Sequence, residues 1–416
     1  MRSADPGGQS AQTRQLHAVL VESATPRLLE LLAAALEGSG PAILPLDAAL
    51  PAARLAELVE ALAPDTVEDA GGVTAVCSGQ KKAVAEGTAV VIGTSGSTGG
   101  PKGVELSAAA LLHSARASLA RVGARPGERW LCCLPATHIA GLQVLVRSLV
   151  SGTEPVLAER ADAQTVAACG CAHVSLVPAQ LARLIAEERA PGPLAGFRSV
   201  LLGGAAAPAG LLEAARAAGI PVVTTYGMTE TCGGCVYDGL PLDGVRVAVR
   251  DDDDAPGRIW IAGPVLFSGY RTGGQELRDG WFRTGDLGAV DEAGRLTVRG
   301  RADDIINTGG HKVVPGEVAA VLQSLPGVRD VAVVGQPDPK WGETVVAVVV
   351  PEDPRDAPTL ELMRLHVQQR LPRYAAPNRV VEVDVIPMLP SGKHDIARLR
   401  QELLRREQTE AENVTN

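Results

Sequence analysis

The 416-residue chain contains no run of about eighteen apolar residues, so it lacks the signature of a membrane-spanning helix. Its first stretch, MRSADPGGQSAQTRQ, has no apolar core of the kind a signal peptide needs. Basic residues do not outnumber acidic ones: the net charge of −9 removes any overall pull toward nucleic acid or anionic lipid. Anionic ligands must then be held by local groups. Seven cysteines, an odd number, argue against a disulfide framework and fit a reducing compartment. Together these absences predict a cytoplasmic protein with no nucleic-acid partner. Aromatic residues make up only 3% of the chain, so a tyrosine inside a motif carries more weight than usual. No internal repeat is present.

Two cysteine clusters invite chemistry and do not sustain it. Cys232 and Cys235 form a CxxC, yet they follow YGMTE instead of opening a thioredoxin-like helix. Cys169, Cys171 and His173 have no fourth ligand at a zinc spacing. Packing cysteines and a polar histidine at a strand end are the simpler reading.

The stretch AVVIGTSGSTGGPKGVELS, residues 89–107, is the most informative in the chain. A strand-like run, Ala89 to Ile92, empties into Thr94, Ser95, Gly96, Ser97, Thr98 and on to Lys102. Glycines let backbone N–H groups converge on an anion, hydroxyls add donors, and Lys102 adds positive charge. The pattern predicts a polyphosphate cradle. A Walker A loop would put Lys directly after Gly and before Ser or Thr, whereas Pro101 precedes Lys102 and Gly103 follows it. A Gly/Ser linker would seldom follow a buried strand and end in Pro-Lys-Gly.

From about residue 85 to 225, short apolar runs alternate with amphipathic stretches, which predicts parallel βα units with helices on both faces of a sheet. Ligands in such sheets gather where strands end in loops. The phosphate loop, GGAA at 203–206 and YGMTE at 226–230 each follow a strand-like run and so could converge on one nucleotide. Residues 243–300 turn into β-rich pieces between Gly and Pro, predicting a small antiparallel or distorted barrel. Beyond Arg301 a compact α+β unit of common domain size follows. The expected architecture is therefore α/β: a large N-terminal domain over 15–300, a hinge at 301–303 and a small C-terminal domain over 304–406. Residues 1–14 and 407–416 read as disordered.

Five segments in order resemble the motifs of the adenylate-forming superfamily of acyl-CoA synthetases, peptide-synthetase adenylation domains and luciferases. They are the phosphate loop, TTYGMTE at 224–230, WFRTGDLG at 281–288, GRADDIINTGGHKVVPGEV at 300–318 and LPSGKHD at 389–395. The resemblance covers residues from about 89 to 400 and implies ATP, Mg²⁺ and coenzyme A as partners of a small carboxylic acid. It implies that Thr94 to Lys102 wraps the β- and γ-phosphates, Thr229 bonds the α-phosphate and Glu230 holds Mg²⁺, a hard cation suited to oxygen donors. Tyr226 and Gly227 would lie against adenine, with Gly203, Gly204 and Ala205 letting backbone approach the base. Asp286 would accept the ribose hydroxyls, and Arg301 would add a ribose or phosphate contact.

Lys393 would reach carboxylate and α-phosphate during adenylation. Asp303 would act as hinge for a mobile lid, whose rotation brings the Thr308–Lys312 loop, with Gly309 and Gly310, to admit a pantetheine arm. One departure is Ile396, where the family often carries a basic residue.

Segments 134–157, 173–185 and 201–220 most resemble the branch of the family that ligates an aromatic diacid, 2-succinylbenzoate, to CoA in menaquinone biosynthesis. Once one carboxylate is adenylated, the other still needs a donor, and Arg147 and Ser175 are the candidates. By the same resemblance His138 lines or gates the acyl pocket. Nine residues of straight helix would put His138 and Arg147 on opposite faces, so His138 must precede the helix. The segment before the phosphate loop is short for the family, so a second copy of the chain, in a homodimer, could complete the pocket wall. Another acyl-CoA synthetase, an adenylation domain loading a carrier protein, and a non-catalytic nucleotide-binding homologue remain open alternatives.

Overall fold

The computed structural model describes residues 13–76, 82–95, 100–187, 192–251, 257–273, 277–388 and 394–415. Two seven-stranded sheets build the large domain. In the first, Leu16–Val21 lies parallel between Ala42–Asp47 and Thr66–Asp69, and Ala42–Asp47 pairs parallel with Thr88–Ser95. In the second, Val156–Leu157, Trp130–Cys132, His173–Leu176, Ser199–Leu202 and Val222–Met228 run parallel, followed by the antiparallel Gly233–Tyr237 and Leu240–Pro241. Strands such as Ser199–Leu202 are buried at every residue, as expected where helices cover both faces.

Helices Pro26–Glu37, Ala108–Arg121 and Ile139–Val150 pack on one another between the sheets. Leu28, Ile43, Leu111, Leu142, Trp130 and Leu201 share the resulting core. Helix Ala52–Leu62 covers the outer face of the first sheet, and Pro178–Glu187 covers that of the second.

One expectation is corrected here. The strand before the phosphate loop does not run into a helix as part of a parallel unit. It pairs antiparallel with Pro101–Ser107, Ser95 opposite Pro101, so the loop closes a hairpin before helix Ala108–Arg121 starts. The reason is legible in the return strand: Val104 and Leu106 are buried and Glu105 between them is not, a period of two. Ser107 then caps the helix by accepting from the Ala110 N–H at 3.1 Å.

The β-rich segment after residue 243 forms a four-stranded antiparallel sheet, Arg246–Arg250, Arg258–Ala262, Trp281–Val290 and Leu296–Arg301. In the C-terminal domain Val345, Ala347 and Val349 face helices Pro315–Gln323 and Leu360–Gln368, while Val346, Val348 and Val350 face the helix that starts at Ile396. The uninterrupted VVAVVV run follows from being covered on both sides. Residues 1–12 of the expected disordered N-terminal segment lie outside the described residues, while two described pieces of the expected disordered ends are ordered. Thr13–Arg14 pairs with Val84–Ala85, and the last helix runs from Ile396 to Thr415, past residue 406.

Candidate active site

The hairpin brings Lys102 to the Tyr270 ring, whose hydroxyl reaches Glu230. Thr94 Oγ1 donates to the Lys102 carbonyl at 3.4 Å, closing the loop's neck. Gly96, Ser97 and Thr98 lie outside the described residues, as does the side chain of Ser95. Lys102 Nζ stands 5.5 Å from the centre of the Tyr270 ring, and the Tyr270 hydroxyl donates to Glu230 Oε1 at 2.7 Å. Burial, and then the Glu230 charge, push the Tyr270 phenol well above its ordinary pKa, so it stays a donor. Glu230 and Thr229 sit half-buried in the 3₁₀ turn Thr229–Thr231. With Oε1 engaged, Oε2 has no protein partner among the described residues, and such a hard oxygen donor suits Mg²⁺. Tyr270 was not singled out from sequence; its only signal is that it is one of four tyrosines.

Tyr226, Asp286, Arg301 and Asp303, far apart in sequence, form one chain of contacts. The Tyr226 hydroxyl donates to Asp286 Oδ2 at 2.9 Å, Arg301 Nη1 lies 3.4 Å from Asp286 Oδ1, and Arg301 Nη2 lies 3.2 Å from Asp303 Oδ2. Burial and the Asp286 charge raise the Tyr226 pKa, keeping that hydroxyl protonated. Burial opposes the Arg301 charge, but Asp286 and Asp303 outweigh it and raise the guanidinium pKa.

Parallel pairing of Ser199–Leu202 with Val222–Met228 sets Leu202 opposite Thr224, so the Gly203, Gly204, Ala205 loop emerges beside Tyr226. A Cβ at Gly203 would come within 2.3 Å of Thr225 Oγ1, and Gly204 has φ +83°. At Gly227, on a β-bulge, a Cβ would lie 2.0 Å from the Gly233 carbonyl oxygen. Only glycine fits there.

His138 precedes helix Ile139–Val150 with extended backbone at its N-cap, φ −110° and ψ 149°, which removes the opposite-faces objection. Its side chain is open to solvent, yet surrounding protein lowers the imidazole pKa by desolvation, with Asp47 opposing.

Arg147, by contrast, is buried, 5% exposed, and not a surface arginine. Its Nη2 donates to Ser175 Oγ at 2.9 Å, its guanidinium carbon lies 4.3 Å from the centre of the Trp130 ring, and Nε has no partner. No carboxylate pairs with Arg147 among the described residues. Burial lowers its pKa, with Tyr237 and Cys132 opposing. Trp130, like Tyr270, was not singled out from sequence.

In the C-terminal domain Gly309 and Gly310, φ +56° and +81°, turn the hairpin between Ile306–Thr308 and His311–Val313. A Cβ at Gly309 would come within 2.8 Å of the Trp341 ring. Lys393 lies outside the described residues. Met388 bridges to His394, and Asp395 N donates to Pro387 O at 2.7 Å. Ile396 packs against the apolar cluster around Leu399, which accounts for an apolar residue at that position.

Cys232 takes the left-handed backbone, φ +53°, at the end of the 3₁₀ turn Thr229–Thr231. Cys232 and Cys235 are buried free thiols, the latter pushed up to about 12 by burial. His173 contacts Ser199 Oγ at 2.8 Å and Glu128 at 3.1 Å. Among the described residues no group of three or more His, Cys, Asp or Glu could hold a metal ion.

Two family models match the chain: residues 45–271 match the model described as AMP-binding enzyme, and residues 317–393 match the AMP-binding enzyme C-terminal domain. A Mycobacterium tuberculosis protein, "Probable 2-succinylbenzoate--CoA ligase", is 43% identical over 404 residues, covering 93% of this chain and 97% of the relative. The Listeria monocytogenes 2-succinylbenzoate--CoA ligase is 34% identical, covering 76% of this chain and 70% of its own length. Among solved structures, o-succinylbenzoate CoA synthetase from Bacillus subtilis in complex with the acyl-adenylate intermediate OSB-AMP superposes with TM-score 0.78 at 28% identity, covering 95% and 89% of the two chains. The same enzyme in complex with ATP and magnesium ion superposes with TM-score 0.76.

Proposed function

The chain belongs to the AMP-binding enzyme family, and on that premise we propose that it is an AMP-forming acid–thiol ligase joining 2-succinylbenzoate to coenzyme A. In the first half-reaction a carboxylate oxygen attacks the α-phosphorus of ATP, and the bond to pyrophosphate breaks. In the second the thiol of coenzyme A attacks the acyl carbon of the adenylate, and AMP leaves. Such chemistry depends on bringing anionic groups together and neutralising them.

The observation that carries the diacid is Arg147. A buried guanidinium without a counter-carboxylate is costly unless a ligand supplies one. Its unpartnered Nε and its bond to Ser175 suit the carboxylate that remains after the other is adenylated. His138, at the helix N-terminus above, lines the acyl pocket in this reading.

Toward the nucleotide, Asp286 takes the ribose hydroxyls, Tyr226 and Gly227 flank adenine beside Gly203, Gly204 and Ala205, and Arg301 adds its charge. Thr94 to Lys102 and Thr229 hold the phosphates. Mg²⁺ bound through Glu230 would neutralise phosphate charge as pyrophosphate departs. Asp303 is the hinge of a lid carrying Lys393 and the Gly309–Gly310 hairpin. The division into residues 15–300 and 304–406 belongs to this reading, as do a cytoplasmic setting and a homodimer that completes the pocket wall.

Acid-dependent pyrophosphate release across a panel of carboxylic acids tests it. The expected result is a clear preference for 2-succinylbenzoate with free coenzyme A as acceptor. Turnover of simple benzoates with rejection of the diacid would overturn the substrate, and transfer only to a carrier protein would overturn the acceptor.

A further inference from the structure

Between Lys102 and Glu230, two opposite charges that the proposed reaction needs separately, stands a tyrosine. Lys102 Nζ faces the Tyr270 ring at 5.5 Å, and the Tyr270 hydroxyl holds Glu230 Oε1 at 2.7 Å. We propose that Tyr270 is a positioning residue that aims the Glu230 carboxylate at Mg²⁺ and keeps Lys102 from neutralising it before nucleotide arrives. The inference rests on the reading that Glu230 holds the metal.

The placement is built. Gly269–Tyr270 pairs antiparallel with the return strand of the phosphate loop, Tyr270 opposite Val104 and Gly269 opposite Glu105, which holds the phenol two residues from Lys102. The next residue, Arg271, is buried at 2% exposure; its N–H donates to the Gly103 carbonyl at 2.7 Å. Its guanidinium donates to the carbonyls of Leu62, Ala63 and Lys82, and Glu105 lies 3.3 Å from Nη1. At the other end Phe267 N donates to the Glu230 carbonyl at 2.9 Å, and the Phe267 ring meets Tyr270 edge-on with centroids 4.9 Å apart. Residues 267–271 therefore fasten the turn carrying Glu230 to the strand carrying Lys102.

The chemistry of the two contacts differs in a useful way. A hydroxyl-to-carboxylate bond is charge-assisted and directional, so it fixes one Glu230 oxygen and leaves the other to a cation. A ring face attracts an ammonium only weakly at a partly exposed site, so Lys102 is held near and released readily to phosphate. Among the described residues no ion pair joins Lys102 to Glu230.

The test compares Tyr270→Phe and Glu230→Gln with the parent. Two readouts are taken: free Mg²⁺ for half-maximal pyrophosphate release at saturating ATP, and Mn²⁺ affinity of the protein with a non-hydrolysable ATP analogue, followed by loss of the free-Mn²⁺ electron paramagnetic resonance signal. Phenylalanine keeps the ring and removes one charge-assisted bond, so both half-saturation points are expected to rise about tenfold, with AMP affinity unchanged. A shift with Glu230→Gln but none with Tyr270→Phe would overturn the role of Tyr270 alone. No shift with either would overturn the metal reading of Glu230 and the inference with it. Equal loss of AMP binding in Tyr270→Phe would mark the tyrosine as merely structural and also overturn it.

Discussion

The Arg147 guanidinium carbon lies 4.3 Å from the centre of the Trp130 ring, and Arg147 Nη2 donates to Ser175 Oγ at 2.9 Å. A protein carboxylate in that place would pair with the arginine and compete with a substrate; an aromatic face attracts the cation without neutralising it. Replacing Arg147 by Met keeps length and removes charge. We expect kcat/KM for 2-succinylbenzoate to fall by about 10²-fold or more, the usual cost of truncating a buried charged contact. Adenylation of a matched acid lacking the second carboxylate should change little, and Trp130→Leu should show a milder loss with the same substrate pattern. Steady-state pyrophosphate release with the two acids checks this, and an equal fall for both would remove Arg147 from the acyl site.

In the first sheet, Glu68 on strand Thr66–Asp69 ties the sheet to helix Pro26–Glu37. Glu68 accepts from Arg27 Nε at 2.8 Å and meets His17 Nε2 at 2.9 Å. Chiefly through the Arg27 bond, its pKa falls to about 2 in the folded protein. A depressed carboxylate pKa contributes stability that is fully present above the unfolded value, ~4.3, and is lost as pH falls through the folded one. The melting temperature of the parent should therefore exceed that of Glu68→Gln by a constant margin above about pH 5, and the margin should close as the pH is lowered toward 2. A margin independent of pH over that range would mean the carboxylate is not held by charge.

Much of this was legible in the chain. Helix Ile139–Val150 and strand Ser199–Leu202 fall where apolar periodicity puts them, because core-facing patterns survive tertiary context. Tyr226, Asp286 and Arg301 were identified as separate motif residues, and the fold joins them. What the chain hid was side-chain company across sequence distance. Nothing near residue 270 says that its hydroxyl meets residue 230, and nothing near Trp130 says that it underlies Arg147. The hairpin at the phosphate loop was missed for a local reason: a seven-residue return strand, Pro101–Ser107, is too short to stand out before a fourteen-residue helix.

Gly227 and Gly210 offer a paired test of backbone approach. A Cβ at Gly227 would meet the Gly233 carbonyl oxygen at 2.0 Å, whereas one at Gly210, inside helix Ala209–Ala217, would meet nothing within 4 Å. Gly227→Ala must move the hairpin that carries Tyr226, at a cost of about 1–3 kcal/mol or more. Gly210→Ala should instead add about 0.5–1 kcal/mol through helix propensity. Urea unfolding monitored by circular dichroism reads both signs. AMP affinity should drop only in the first, because Tyr226 moves with the bulge.

The proposed lid motion would separate the two half-reactions most cleanly. Met388 bridges to His394 on either side of the segment that contains Lys393, and Asp303 is bound through Arg301 to Asp286. If Lys393 serves adenylation alone, Lys393→Ala should slow acyl-adenylate formation by about 10²–10³-fold, the typical cost of one preorganised electrostatic group. Thioester formation from supplied acyl adenylate should stay near the parent rate, because in the proposed cycle the lid turns and carries the lysine away. Asp303→Pro restricts the backbone about which that turn is made, so one half-reaction should persist while the other falls. Rapid-quench measurement of each half-reaction distinguishes these outcomes. Equal loss of both steps in Lys393→Ala would mean the lysine acts on the fold or on a shared intermediate, and the two-position lid would have to be abandoned.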